Sequence, residues 1–395
     1  MMDYDKLISR TAVDIKPSGI RRFFDIAAEM DDVISLGVGE PDFKTPWRIR
    51  KTAIDALEKG RTTYTANAGL AELREQCARY FERTIHTKYD PKSEVVITVG
   101  GSEAIDLAVR ALVNPGDEVL CVEPSFVCYA PLVRLVGGVP VVIETKAEDE
   151  FRLTAASLKE KLTDKTKLLF LPFPNNPTGA VMRREDLEQI AEVLRGTDVF
   201  VVSDEIYSEL TYSGKHVSIA EIEGMRERTI VINGFSKSFA MTGWRLGFAA
   251  GPEPVLKQML KLHQYQIMCA PTVSQFAAVT ALKHCNDDVA AMREEYDMRR
   301  RFVVDGFNKL GLDCFTPQGA FYVFPCIRST GLSSEEFCEK LIYSKRVAVV
   351  PGNAFGECGE GFVRVSYAYS IAHLKEALVR IGEFVKELRY EQHNP

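Results

Sequence analysis

Between residues 94 and 251, short runs of apolar residues rich in Val, Ile and Leu alternate with segments of helical periodicity. Seven strands are predicted: EVVITVG (94–100), EVLCVEP (118–124), VPVVIET (139–145), KLLFLPF (167–173), VFVVSDE (199–205), TIVINGF (229–235) and LGFAAG (246–251). Between them lie helix patterns such as SEAIDLAVRALV (102–113) and REDLEQIAEVLRG (184–196). Most of these strands are apolar throughout and do not alternate, so both faces are expected to be covered. The fold class that follows is α/β, with a large domain built on a mostly parallel seven-stranded sheet flanked by helices.

After Gly251 the pattern changes. Residues 253–311 read as helices, including a long charged one over 289–311, and are followed by GAFYVFPCI (319–327), a helix over 333–343, VAVVPG (347–352), FVRVSYA (362–368) and a last helix over 371–388. This α+β texture predicts a second, smaller domain. The expected division assigns 49–289 to the large domain and 1–48 with 290–395 to the small one. A length of 395 residues accommodates two unequal domains of ordinary size.

Composition narrows the function. Lys and Arg total 49 against 55 Asp and Glu, a net charge of -6. No global positive field draws the chain to a phosphate backbone or an anionic lipid, so neither nucleic acid nor membrane is an expected partner. Nine dispersed cysteines include no CxxC pair and lie beside no His-rich segment, so no metal site is expected and reduced thiols of a cytoplasmic protein are. The N-terminal stretch has no apolar h-region, and no run of 18 apolar residues occurs.

Ligands of open parallel sheets bind at the carboxyl ends of the strands, so the residues just past each strand are the candidates for chemistry. VGGSEAI (99–105) places two glycines and Ser102 at a helix start, where free N–H groups cup a phosphate; an ordinary turn with a serine N-cap is the plainer alternative. PNNPTGA (174–180) fixes a turn that presents Asn175 and Asn176. Asp204, directly after a buried strand, needs a hydrogen bond, a cation or a helix to cap. GFSKSFAMTGWRLGF (234–248) sets Lys237 among aromatic residues with Arg245 eight positions on; a desolvated lysine near other cations is an amine nucleophile toward a carbonyl. Arg364, inside the apolar FVRVSYA, needs a carboxylate, and spacing alone favours an internal Asp or Glu over a substrate.

Taken together, ISLGVGEPDF (34–43), YTANAGLAELRE (64–75), PNNPTG, SDEIY (203–207), SKSFAMTGWRLG (236–247) and FVRVSYA resemble the fold-type I pyridoxal-phosphate enzymes, specifically the class I aminotransferases of the aspartate and aromatic type. The resemblance covers nearly the whole chain and implies a fold of the aspartate aminotransferase kind, with pyridoxal 5′-phosphate as cofactor. It implies that Lys237 bonds the cofactor aldehyde and shuttles a proton, and that Asp204 keeps the pyridine nitrogen protonated. Tyr207 and Asn176 would hydrogen-bond the ring hydroxyl, Phe126 would stack on the ring, and Gly101, Ser102, Glu103, Ser236 and Arg245 would belong to the cofactor site. Arg364 would grip the substrate α-carboxylate beside Gly39, which reverses the ranking from spacing. Tyr64 matches a tyrosine that reaches the neighbouring subunit's phosphate, implying a homodimer with shared active sites.

The resemblance implies transfer of an amino group from an L-amino acid, aromatic or acidic, to a 2-oxo acid such as 2-oxoglutarate by a ping-pong route. Within the family, SGIRRFF (18–24) is similar to aromatic and acetyl-diaminopimelate aminotransferases, and Arg21, with Arg22 as the second choice, is the candidate for a movable cation near the substrate side chain. The stretch QIMCAPTVSQ (266–275) lacks the arginine that some aspartate enzymes lend across the dimer. Two other readings are a carbon–sulfur β-lyase of the same fold and a non-catalytic cofactor-binding regulatory domain; no helix-turn-helix or basic extension supports the latter.

Overall fold

The computed structural model describes residue 2, residues 4–17 and residues 19–393; the side chains at positions 5, 21, 24 and 393 lie outside the described residues. All seven expected strands of the large sheet are present: β1 (Val95–Thr98), β2 (Glu118–Glu123), β3 (Val139–Glu144), β4 (Thr166–Leu171), β5 (Phe200–Asp204), β6 (Thr229–Gly234) and β7 (Gly247–Ala250). They form one sheet in the order β1-β7-β6-β5-β4-β2-β3. The pairs β6/β5, β5/β4, β4/β2 and β2/β3 are parallel, whereas β7 runs antiparallel to both β1 and β6.

The unbroken apolar runs have the expected cause. Successive residues of a strand point to opposite faces, and here each face meets its own helices. Leu168, Phe170, Val202, Ile230 and Ile232 pack with Ala104, Leu107 and Ala108 of the helix Gly100–Leu112. Leu169, Leu171 and Val201 pack instead with Leu187, Ile190 and Leu194 of the helix Arg184–Leu194. Burial of both faces fixes the register, because a one-residue slip would exchange two fitted surfaces.

Beyond Gly251 the helices Glu253–Gln266, Thr272–His284 and Asn286–Lys309 follow one another. A small antiparallel sheet then joins Val350–Pro351, Val363–Ser366 and Tyr322–Val323, with the helix Ser334–Lys345 against Val350–Pro351, the helix Asn286–Lys309 against Tyr322–Val323, and the last helix Ile371–His393 packed on both helices. Two expected strands are shorter than their apolar runs. In GAFYVFPCI only Tyr322–Val323 is extended, because Ala320 adopts φ +58° and Pro325 has no N–H to give. VAVVPG splits at Val349: Val347–Ala348 pairs with Ile34–Ser35 in parallel, and Val350–Pro351 pairs with the strand of Arg364. The N-terminal segment is further tied to this region by Ser366 N–H donating to Leu36 O at 2.8 Å. Among the described residues no helix is long and apolar enough to cross a membrane.

Candidate active site

A cavity of about 570 Å³ opens at the carboxyl ends of the large-sheet strands. Its floor begins at the turn after β1. The helix Gly100–Leu112 starts on Gly100 with Val99 as N-cap and no side-chain cap, so Ser102 is not the cap that the plainer reading gave it. It lines the cavity beside Gly101, and the first-turn N–H groups have no intrahelical acceptors. Gly100 sits at φ +75°, and a Cβ there would lie 2.8 Å from Arg245 Nη2. The guanidinium therefore packs directly on the glycine. Arg245 gives one hydrogen bond to Thr242 O (3.1 Å) and has no ion pair among the described residues. With Ser236 on the same wall, the helix terminus and the unpaired fork make a cup for an anion such as a phosphate.

Asp204 closes β5 and lines the cavity. Burial pushes its carboxyl pKa up, opposed by the Tyr129 hydroxyl, which donates to Oδ2 at 2.8 Å, and by the Ile206 N–H, which donates to Oδ1 at 3.3 Å. Lys237 projects into the same space, its Nζ donating to Gly39 O at 2.6 Å. Burial pushes this amine down to about 8; the Glu40 carboxylate works against that, Arg364 and Arg245 add to it, and Asp204 opposes it. An amine of that pKa is substantially neutral just above physiological pH, the state in which it attacks a carbonyl.

Arg364 is 3% exposed, and its guanidinium lies between the rings of Tyr322 (4.6 Å) and Phe355 (4.7 Å). Nη1 donates to Asn176 Oδ1 at 3.0 Å, Nη2 donates to Gly37 O, and Nε is buried without a partner. The internal carboxylate that spacing favoured is not there: among the described residues no Asp or Glu pairs with Arg364. Burial lowers its pKa, opposed by the nearby phenols of Tyr322, Tyr207 and Tyr369. A buried guanidinium that lines the cavity and has no Asp or Glu partner among the described residues is equipped to take a carboxylate from outside. Of the two turn asparagines, Asn175 is consumed locally, its Oδ1 accepting from Thr178 N–H (3.1 Å) and the Thr178 hydroxyl (2.9 Å), which leaves Asn176 to line the cavity.

The cavity thus gathers Gly39, Gly101, Ser102, Phe126, Asn176, Asp204, Tyr207, Ser236, Lys237, Arg245 and Arg364. It does not gather Glu103. That carboxylate accepts from Val99 N–H at 2.5 Å and pairs with Nδ1 of the fully buried His263 at 2.8 Å, so its side chain braces the helix start and does not reach the cavity. Tyr64 is 78% exposed and away from the cavity lining. The Arg21 side chain lies outside the described residues; its neighbour Ile20, in the helix Gly19–Ala28, lines the cavity. Tyr129, Tyr322 and Glu40 line it too and were not anticipated. Tyr129 lies three residues beyond Phe126 in EPSFVCYAP, and a polar tip in an otherwise apolar run was its one available signal.

A buried amine between an anion cup and an unpaired guanidinium, with a buried acid at hand, is the equipment of an enzyme that works on anionic carbonyl compounds. Comparison with known proteins makes the class specific. Residues 31–381 match the family described as Aminotransferase class I and II, and the chain belongs to it. It is 48% identical over 376 residues to an aspartate aminotransferase of Pyrococcus abyssi (strain GE5 / Orsay), covering 94% of this chain and 97% of that one. It is 47% identical over 376 residues to aromatic-amino-acid aminotransferase 2 of Thermococcus litoralis, with the same two coverages. The crystal structure of the aromatic aminotransferase from Pyrococcus horikoshii OT3 matches with a TM-score of 0.89 at 47% identity, covering 94% of this chain and 99% of that one.

The protein is an aminotransferase of fold type I, acting on amino acids and 2-oxo acids, and its cofactor is pyridoxal 5′-phosphate. The cavity fits that group. Arg245 has no internal acid, the glycine turn admits it to the helix terminus, and Lys237 and Asp204 stand free of any ion pair among the described residues.

Proposed function

We propose that the chain transfers the amino group of an L-amino acid with an aromatic or acidic side chain to a 2-oxo acid such as 2-oxoglutarate, in two half-reactions at one site. The observation that carries this reading is the position of Lys237: a buried, readily neutralised amine lining the same cavity as an anion cup at Arg245 and a carboxylate fork at Arg364. The names of the two relatives, one for aspartate and one for aromatic amino acids, support the side-chain classes.

Bound pyridoxal phosphate supplies an electron sink for the bond broken at the substrate Cα. The residues do the rest. Gly101, Ser102, Ser236 and Arg245 hold the phosphate; Asp204, oriented by Tyr129, keeps a proton on the pyridine nitrogen; Phe126 covers the ring, and Tyr207 with Asn176 meets its hydroxyl. Arg364 fixes the substrate carboxylate next to Gly39, so that the Cα–H bond is held in one orientation. Lys237 would hold the cofactor and then, as a neutral amine, carry the proton from the substrate Cα to the cofactor C4′, the second half-reaction moving it in the opposite direction. Orientation and proton transfer of this kind contribute several orders of magnitude in rate.

We propose further that residues 49–289 form the large domain and residues 1–48 with 290–395 the small one, supported by the pairing of Ile34–Ser35 with Val347–Ala348. Two copies would share their sites through the exposed Tyr64 in a cytoplasmic homodimer, and Arg21 would approach the substrate side chain. The test is a panel of amino donors with 2-oxoglutarate, assayed for glutamate. Glutamate formed from aromatic or acidic donors is expected; pyruvate and ammonia from a cysteine conjugate, without glutamate, would favour a β-lyase and overturn the reading. An Arg21→Ala variant with an unchanged ratio of acidic to aromatic turnover would remove Arg21 from the account.

A further inference from the structure

Tyr322 touches both ends of the cavity. It is 1% exposed, in the two-residue strand Tyr322–Val323, and pairs in register with Ser366 of the strand that carries Arg364. Arg364 is two residues from Ser366, hence on the same face and diagonal to Tyr322, which brings the guanidinium 4.6 Å over the Tyr322 ring. The Tyr322 hydroxyl points the other way, to the hydroxyl of Tyr207 at 2.9 Å. The two tyrosine rings meet edge to face at 5.9 Å, and Tyr207 in turn lies 5.9 Å from Lys237 Nζ. Gly39, whose carbonyl receives the Lys237 amine, is pressed against the same hydroxyl: a Cβ there would lie 2.5 Å from Tyr322 Oη.

Resting on the reading that Arg364 binds the substrate carboxylate and Tyr207 faces the cofactor, we propose that Tyr322 is a positioning residue with two separable roles. Its ring holds the Arg364 guanidinium in place, and its hydroxyl orders and polarises the hydroxyl of Tyr207. The ring role is physical support of a desolvated cation by an aromatic face. The hydroxyl role follows from donor and acceptor counting. A Tyr207 hydroxyl that donates to a group in the cavity has its oxygen free to accept, and Tyr322 is the donor placed to fill it. Tyr207 becomes a stronger donor as a result, which disfavours a proton on the neighbouring Lys237 nitrogen. Events at the carboxylate end are thereby felt at the amine end through one side chain.

Two variants of the cofactor-loaded protein separate the roles. Tyr322→Phe keeps the ring and removes the hydroxyl; Tyr322→Leu removes both. The readouts are the pH midpoint of the visible absorption band, cofactor content, and KM for an amino donor. For Tyr322→Phe the midpoint is expected to rise by about half a pH unit or more, with KM within about twofold of wild type. For Tyr322→Leu the same rise is expected together with a KM increase of about tenfold or more. An unchanged midpoint in Tyr322→Phe would overturn the hydroxyl role, and that variant alone tests it even if Tyr322→Leu does not fold. Equal KM values in the two variants would overturn the ring role. Failure of the underlying reading is distinct: Arg364→Lys would then leave KM for the amino donor unchanged, and Tyr207→Phe would leave the pH midpoint of the band unchanged.

Discussion

Lys237 carries a cost that can be measured without any turnover. Its amine falls from the ordinary 10.5 to about 8, chiefly through burial, with the cations Arg364 and Arg245 adding to the effect. In the unfolded chain the same amine titrates at its ordinary value, so between pH 8 and 10.5 the unfolded state binds more protons than the folded one. Stability therefore rises with pH across that window, the reverse of a lysine that gains a partner. At 1.36 kcal/mol per pKa unit, the charged amine costs the cofactor-free protein about 3 kcal/mol at pH 7 and less than about 1 kcal/mol at pH 10. Lys237→Met removes the titrating group, and any packing or hydrogen bonding it also changes does not vary with pH. Denaturant unfolding of cofactor-free wild type and Lys237→Met at pH 7 and pH 10 should show the stability difference between them shifting by about 2.5 kcal/mol, in favour of wild type at the higher pH. A difference that stays constant with pH, or moves toward the variant, would refute the depressed amine.

Other perturbations test the remaining parts of the site. Tyr129→Phe removes the 2.8 Å bond to Asp204, so the Asp204 carboxyl rises further and kcat/KM should fall about tenfold to a hundredfold, measured by steady-state kinetics on fully loaded enzyme. Arg364→Lys keeps the charge but loses the fork and the stacking between Tyr322 and Phe355; KM for the amino donor should rise by about tenfold or more, with the visible spectrum retained. Gly39→Ala drives a methyl into the Tyr322 hydroxyl, and loss of activity with a shifted visible band is expected, read against an unchanged far-UV spectrum. Glu103→Gln should lower stability by about 1–3 kcal/mol by weakening the His263 and Val99 contacts, and leave cofactor affinity within about twofold; a large affinity loss would return Glu103 to the cofactor site.

The large sheet was legible in the amino-acid sequence because its strands are buried on both faces and end in turns of distinctive chemistry, as at Gly100 and Asn176. The short strands were less so. Tyr322–Val323 lies in an apolar run of nine residues and is cut to two by the positive φ of Ala320, which the residue type does not announce, and by Pro325. Among site residues, those that carry a reactive group on a strand end, such as Asp204 and Lys237, could be picked out by position. Tyr129 and Tyr322 could not, because a tyrosine in an apolar run looks like core until its hydroxyl's partner is known. Glu103, which the resemblance assigned to the cofactor site, lies outside the cavity lining: a side chain one position along a helix from Ser102 points about 100° away, here toward His263. That no Asp or Glu pairs with Arg364 among the described residues is likewise a three-dimensional fact, since the chain holds 55 Asp and Glu and spacing cannot say which of them reach it.

The role of Lys237 as covalent holder of the cofactor is open to chemical capture. Borohydride reduction of the loaded protein, followed by proteolysis and mass spectrometry, should place a pyridoxyl phosphate group on the peptide containing Lys237, at about one per chain, and none on Lys237→Ala protein treated in the same way. A modified peptide that lacks Lys237, or equal labelling of the Lys237→Ala variant, would exclude that role.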